Sequence, residues 1–254
     1  MPSDLSQTLE RATAVLDCFA ADAPRLGVRE VARRTGMSPS AAGRLMQAMR
    51  GLGLLSQDPD TALYSIGARV LTWAGLYSAA LDVRNLALPA MHELHRSTRE
   101  TVSLYILDGR ERLCIERLES PQNVRVVARV GRRLPLYAGS AGKVFLAFLP
   151  AARREEILTA THLEALTPNT ITDPAALRTQ LEQVRAQGYA LSVGEWEADA
   201  AGIAAPIFDA AGNPAAAITL SGPAQRFTPA VFASYIPVIT RTAQDISRQM
   251  GYRP

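Results

Sequence analysis

Residues 28–53 read VREVARRTGMSPSAAGRLMQAMRGLG, and no other stretch narrows the fold so far. Val28 to Thr35 has the length of a two-turn helix. Gly36 can take the left-handed conformation that a tight helix-to-helix turn requires. Ser38 is a good N-cap, and Pro39 suits the first position of the next helix. There Ala42, Leu45, Met46 and Met49 fall at i, i+3, i+4 and i+7, a single stripe to bury. Ser40, Arg44 and Gln47 share the opposite face. Gly51 and Gly53 end the pattern. Upstream, Leu9, Ala12, Thr13, Leu16, Phe19 and Ala20 recur at helical spacing. Downstream, LLSQDPDTALYSIG reads as two short strands around an Asp-Pro-Asp turn.

Three helices and a hairpin in this order form a winged helix-turn-helix pattern. Its second turn-linked helix would enter the DNA major groove with its N-terminal residues at the base edges. Charge agrees. Residues 24–53 hold six arginines against one acid, Glu30, whereas residues 1–66 balance seven basic and seven acidic side chains. The excess is focused on one segment, as phosphate neutralisation requires. Arg33, Arg34, Ser38, Ser40, Arg44 and Gln47 are the predicted DNA contacts. Asp58 and Asp60 count against a phosphate-gripping hairpin tip, which leaves Tyr64 or the strand flanks as the candidate contacts there, or a hairpin that only braces the helix. The competing reading is a small helical bundle with solvated arginines.

Composition sets the class of the rest. Apolar content is 48%, charged content 20% and formal charge only +3, which describes a globular protein with a substantial core. Cys18 and Cys114 are too few for a disulfide framework and fit a reducing cytoplasm. MPSDLSQTLERATAVLDCF lacks the uninterrupted apolar run of a signal peptide. No stretch approaches the roughly 20 apolar residues of a membrane helix. The expectation is a cytoplasmic protein with no membrane partner.

Beyond residue 66, the run from Gly67 to Arg84 carries Val70, Leu71, Trp73, Ala74, Leu76, Tyr77, Ala80 and Leu81. It is apolar on more than one face, as a linker helix in a homo-oligomer would be, or a core helix. Pro89 is expected to open the next helix. TVSLYILDGRERLCIERLE reads as two strands around an Asp-Gly turn, and NVRVVARVG as a third. Asp173 and Pro174 start a helix that Gly188 closes. GIAAPIFDAAGNPAAAITLSG is a second hairpin, and Thr228-Pro229 starts a terminal helix. The predicted class is α+β, with an antiparallel sheet and flanking helices. The predicted domains are a DNA-binding domain at 1–66, a linker helix at 67–85 and a sensor-like domain at 86–254.

The best candidate ligand site in the second domain is YAGSAGKVFLAFL. Its small-residue loop, Ala138 to Gly142, runs into an apolar helix. Small residues let backbone approach a ligand, and free N–H groups with the helix dipole favour an anion. Lys143 is followed by Val144 and no glycine stands at 137, so this is no P-loop; a small organic acid suits it better than nucleotide phosphate. A tightly packed helix start is the structural alternative. Trp196 is a further candidate pocket wall. His92 and His95 lack companions and the zinc-motif spacing, so no metal and no cofactor is expected. No nucleophile motif such as G-x-S-x-G is present, and Cys114 sits mid-strand. Neither catalysis nor a purely architectural DNA-binding role fits as well as ligand sensing.

SQTLERATAVLDCF, VREVARRTGMSPSAAGRLMQAMRGLGLL and YSIGARVL resemble the N-terminal domain of IclR-type transcriptional regulators. ETVSLYILDGRERLCIERLESPQNVRVVARVGRRLPLYAGSAGKVFLAFLP is similar to the start of that family's effector domain. LTPNTITDPAALRTQLEQVRAQGYALSVGEWEADAAGIAAPIFDAAGNPAAAITLSGPAQRF is similar to the rest. The resemblance covers residues 5 to about 250 in order. It implies a ligand-responsive repressor or activator, dimeric or tetrameric, bound to double-stranded operator DNA, with a GAF-like sensor domain. It places effector contacts at Ser140, Ala141, Ser192, Gly202, Thr219 and Ser221. A family member sensing glyoxylate or pyruvate has Asp and Cys where this chain has Ser192 and Gly202. The exchange implies a larger, less charged pocket and an aromatic acid or derivative. A family glycine stands here as Asp199.

Overall fold

The computed structural model describes residues 4–20, 22–79, 82–123 and 129–253. The chain divides into two compact units, 1–80 and 81–254.

The first unit opens with α1 (Asp4–Asp17), α2 (Val28–Thr35) and α3 (Pro39–Gly51). Gly36 caps α2 at φ 68°, and the Ser38 hydroxyl accepts the Ala41 N–H at the start of α3. Ala42, Met46 and Met49 are buried as their spacing predicts, with Leu45 at the margin. On α1 the buried stripe sits further along than predicted. Val15 is fully buried whereas Leu9 is 65% exposed, and Phe19 packs beyond the helix end. β1 (Leu55–Gln57) and β2 (Tyr64–Ile66) pair antiparallel. Asp58 ties the turn by accepting the Asp60 and Thr61 N–H groups.

Tyr64 requires a correction. It is only 2% exposed and belongs to the core with Val15, Val31, Met46 and Leu55. Its backbone also exchanges both hydrogen bonds with Leu26. Strand alternation turns this side chain inward, so it is no DNA contact.

The segment expected as a linker helix, 67–85, spans both units. α4 (Ala68–Ala79) belongs to the first unit, and α5 (Asp82–Thr98) opens the second; Ala80 and Leu81 lie outside the described residues. α4 is not a core helix of its unit, because Leu71, Trp73 and Leu76 are exposed at 76%, 49% and 68%. Pro89 lies inside α5 and does not open it. Val83, Ala87, Met91 and Leu94 bury one continuous stripe across it, which outweighs the lost helical hydrogen bond.

The second unit is an antiparallel sheet in the order β5-β4-β3-β8-β7-β6. Its strands are β3 (Thr101–Asp108), β4 (Glu111–Leu118), β5 (Arg133–Pro135), β6 (Ala190–Val193), β7 (Ala200–Phe208) and β8 (Pro214–Pro223). Both predicted hairpins form. The strand predicted at NVRVVARVG falls largely on residues 124–128, which lie outside the described residues; β5 follows it. Edge strand β6 carries no strand signal beyond four residues after the Gly188 cap. One sheet face packs on α5 and α9 (Pro229–Gln249). The other receives α6 (Ser140–Phe148), which α8 (Pro174–Gln187) and α7 (Ala151–Ala160) cover. Asp173, Gly188 and Thr228 cap as predicted.

Candidate functional site

Two surfaces have the geometry to bind. The first is the outer face of α3. Ser38, Ser40, Arg44 and Gln47 are all exposed there. Arg44 and the equally exposed Arg29 on α2 make no salt bridge among the described residues. Arg33 and Arg34 are more committed. Both donate to Glu30, and Arg34 also donates to the Cys18 carbonyl. These two guanidinium partners hold the Glu30 carboxyl down at about 2. Two of the predicted cations thus share one acid, and Arg29, absent from the predicted set, is the freer charge. Arg50 links α3 to the hairpin through Gln57.

The second surface is a cavity in the sheet unit. Register aligns its floor. Ser192 on β6 pairs with Gly202 on β7, and Gly202 with Ser221 on β8. Thr219, two residues back, pairs with Ala204 and Ser103. The N-terminus of α6 stands over this row. A Cβ on Gly202 would lie 3.5 Å from the Ser140 hydroxyl and 2.9 Å from the Leu220 carbonyl oxygen. All seven predicted effector residues, Ser140, Ala141, Ser192, Trp196, Gly202, Thr219 and Ser221, line this one cavity, whose volume is about 80 Å³. Asp199 adopts no positive φ, and its carbonyl accepts the Ala224 N–H in the adjoining turn.

Sequence reasoning missed the charges. Arg112, Arg117 and Arg132 line the cavity with Glu197 as the acid among its walls. Arg112 is 4% exposed and donates to the carbonyls of Pro135 and Ala138, which fixes the loop before α6. Burial pulls its guanidinium down to about 10, so it stays cationic at neutral pH. Burial also lowers Arg117, which donates to the Ser103 hydroxyl. Arg132 lies 5.2 Å over the Trp196 ring and 3.6 Å from Glu197.

Behind the loop, Lys143 is fully buried. It donates to the Leu191 carbonyl and to the Glu195 carboxylate, whose other oxygen accepts the Gly139 N–H. One N–H group expected to await a ligand is therefore already taken. Desolvation lowers the Lys143 ammonium, and Glu195 opposes that shift. Gly142 is a forced small residue, because a Cβ there would sit 2.2 Å from the Leu136 carbonyl oxygen. The one signal available was that Lys143 is the only lysine; Arg112 and Arg117 are five apart on β4, and only the register shift opposite Leu104 and Tyr105 sets them on one face.

His95 donates from Nε2 to the Glu119 carbonyl, and no group of three or more potential metal ligands occurs among the described residues. Cys114 is buried, and desolvation pushes its thiol up to about 11, away from nucleophilic use. No helix among the described residues is long and apolar enough to cross a membrane.

Comparison with known proteins now decides the class. Residues 8–59 match the IclR helix-turn-helix domain, and residues 76–248 match the bacterial transcriptional regulator IclR C-terminal domain. The chain belongs to the IclR family. It is 35% identical over 251 residues to the HTH-type transcriptional regulator KipR of Bacillus subtilis (strain 168), covering 97% of this chain and 98% of that one. The Thermotoga maritima IclR crystal structure superposes with TM-score 0.82 at 32% identity, covering 97% and 99% of the two chains. An IclR homolog from Microbacterium hydrocarbonoxydans, solved in complex with 4-hydroxybenzoate, gives TM-score 0.84 at 32% identity, covering 96% and 98%. This IclR-family chain is a transcriptional regulator with a DNA-binding and an effector domain, not an enzyme.

Proposed function

We propose that this IclR-family regulator binds operator DNA as a dimer or tetramer and senses a small aromatic acid in the cavity beneath α6. One observation carries the effector reading: Ser140, Ala141, Ser192, Trp196, Gly202, Thr219 and Ser221 share a cavity with three arginines and one acid. Hydroxyls and guanidinium groups converging on a small pocket suit a carboxylate. The complex of a similar protein with 4-hydroxybenzoate supports the aromatic class. A cavity of about 80 Å³ holds several waters but is tight for a ring. A ring enters by outward movement of the Trp196–Arg132 wall, both of whose members are partly exposed.

On the DNA side, Ser38, Ser40, Arg44 and Gln47 reach bases and phosphates, with Arg33 and Arg34 turning from Glu30 to phosphate. The exposed apolar residues of α4, with Leu9 of α1, fit a second copy of the chain. The regulator acts in the cytoplasm, where its DNA is. Ligand shifts a population of DNA-spacing states by its differential affinity for them.

A thermal-shift series with 4-hydroxybenzoate, benzoate, glyoxylate and pyruvate tests the effector class. A ligand of the folded state raises the midpoint with concentration. The aromatic acids are expected to do so in the parent protein and to fail in a folded Ser221→Phe variant. Shifts from glyoxylate or pyruvate alone would reject the aromatic class.

A further inference from the structure

A second cavity lies at the open edge of β7, between α9 and Phe148 at the C-terminal end of α6. At about 470 Å³ it is several times larger than the effector cavity. Its origin is topological. β6 begins at Ala190, which pairs with Ala204, so among the described residues β7 has no neighbouring strand on that side from Ala205 to Phe208. Pro206 has no N–H to offer there, which makes this open edge a poor template for an added peptide strand.

The cleft reaches inward to Ala205, Pro206, Ala243 and Ser247, all buried. Phe208 is at its centre, with Phe148 packed edge-on at 5.2 Å and Tyr252 tilted against it at 4.9 Å. The serine and threonine hydroxyls of the wall are already engaged. Ser247 donates to the Ala243 carbonyl and accepts the Phe208 N–H, and Thr240 donates to the Ile236 carbonyl. The remaining charge is one cation, Arg248, with no acid among the lining residues. Arg248 pairs with Asp245 on an exposed face, where such a pair contributes little.

We propose that this cleft is a second ligand site, separate from the effector cavity, for an aromatic monoanion larger than a single-ring acid. The rings stack among Phe148, Phe208 and Tyr252, and the anion meets Arg248 at the rim. Apolar walls with few oriented polar groups at a volume of this order are what small-molecule sites share.

The probe is 2-naphthoate, titrated into the full chain by its fluorescence and by calorimetry. One molecule per chain is expected to bind. Gln244→Trp, an exposed rim substitution that fills the mouth, is expected to weaken binding at least tenfold, and Gln187→Trp on the opposite rim to do the same. Ser221→Phe in the effector cavity is expected to leave it within twofold. Arg248→Gln is expected to weaken 2-naphthoate severalfold while sparing the neutral 2-naphthol. Binding abolished by Ser221→Phe and untouched by both tryptophans overturns the proposal. So does absence of binding, including the case where Gln244→Trp changes the oligomeric state and the cleft is a contact between chains. Equal loss of 2-naphthoate and 2-naphthol in Arg248→Gln overturns the anionic class.

Discussion

Lys143 is the chain's one lysine, and it lies wholly inside the protein against Glu195. A buried ion pair is costly to break from one side, because the surviving charge is left without compensation. Lys143→Met should therefore destabilise the fold by about 3–5 kcal/mol, and a companion Glu195→Leu should recover part of that loss. Chemical denaturation of the single and double variants checks this; equal loss in both would mean the ammonium contributes only bulk. Arg44 is the corresponding test on DNA. Exposed and without a salt bridge among the described residues, it should lose operator affinity as Ala. If it meets phosphate, the salt slope should also fall by about 1. Tyr64→Phe should leave affinity unchanged, since the ring is buried. Duplexes selected from random-sequence DNA by the protein itself serve for both titrations.

At the scale of elements, patterns of period and cap were readable and register was not. Ser38, Asp173, Gly188 and Thr228 mark helix ends by local chemistry, so a sequence shows them. Nothing local says that Ser192, Gly202 and Ser221 fall in one row across three strands, and only the family resemblance brought them together. Arg112 and Glu195 were invisible for a related reason, since a charged side chain reads as surface until its partners are known. Pro89 misled because tertiary burial along α5 overrode a local breaker. Helix α2 offers a pH test. Its Glu30 is held at about 2 by Arg33 and Arg34. A depressed carboxyl contributes stability above its unfolded value, near 4.5, and loses it as pH falls through the folded one. The stability gap between parent and Glu30→Gln should be constant at neutral pH and close between about pH 4.5 and 2. A gap independent of pH would mean the carboxylate does not organise the two arginines.

At the scale of the molecule, a regulator needs its two units to report to each other, and that property is thermodynamic before it is structural. If an aromatic acid changes operator affinity by some factor, operator must change the acid's affinity by the same factor. Couplings of this kind are typically about 5- to 150-fold. The expected result is a factor within that range, equal in both directions, measured by titrating 4-hydroxybenzoate into free and DNA-bound protein and DNA into free and ligand-bound protein. Gly202→Cys makes the measurement specific. A Cβ there would stand 2.9 Å from the Leu220 carbonyl oxygen and 3.5 Å from the Ser140 hydroxyl, so the β7–β8 backbone must shift to admit it, and the added thiol takes the ligand's space while α3 is untouched. Ligand affinity should fall at least tenfold, with affinity of the ligand-free protein for DNA unchanged. A reciprocal factor of one in the parent protein would mean that acid binding and DNA binding are independent, and that a DNA-binding protein without this effector is the better description.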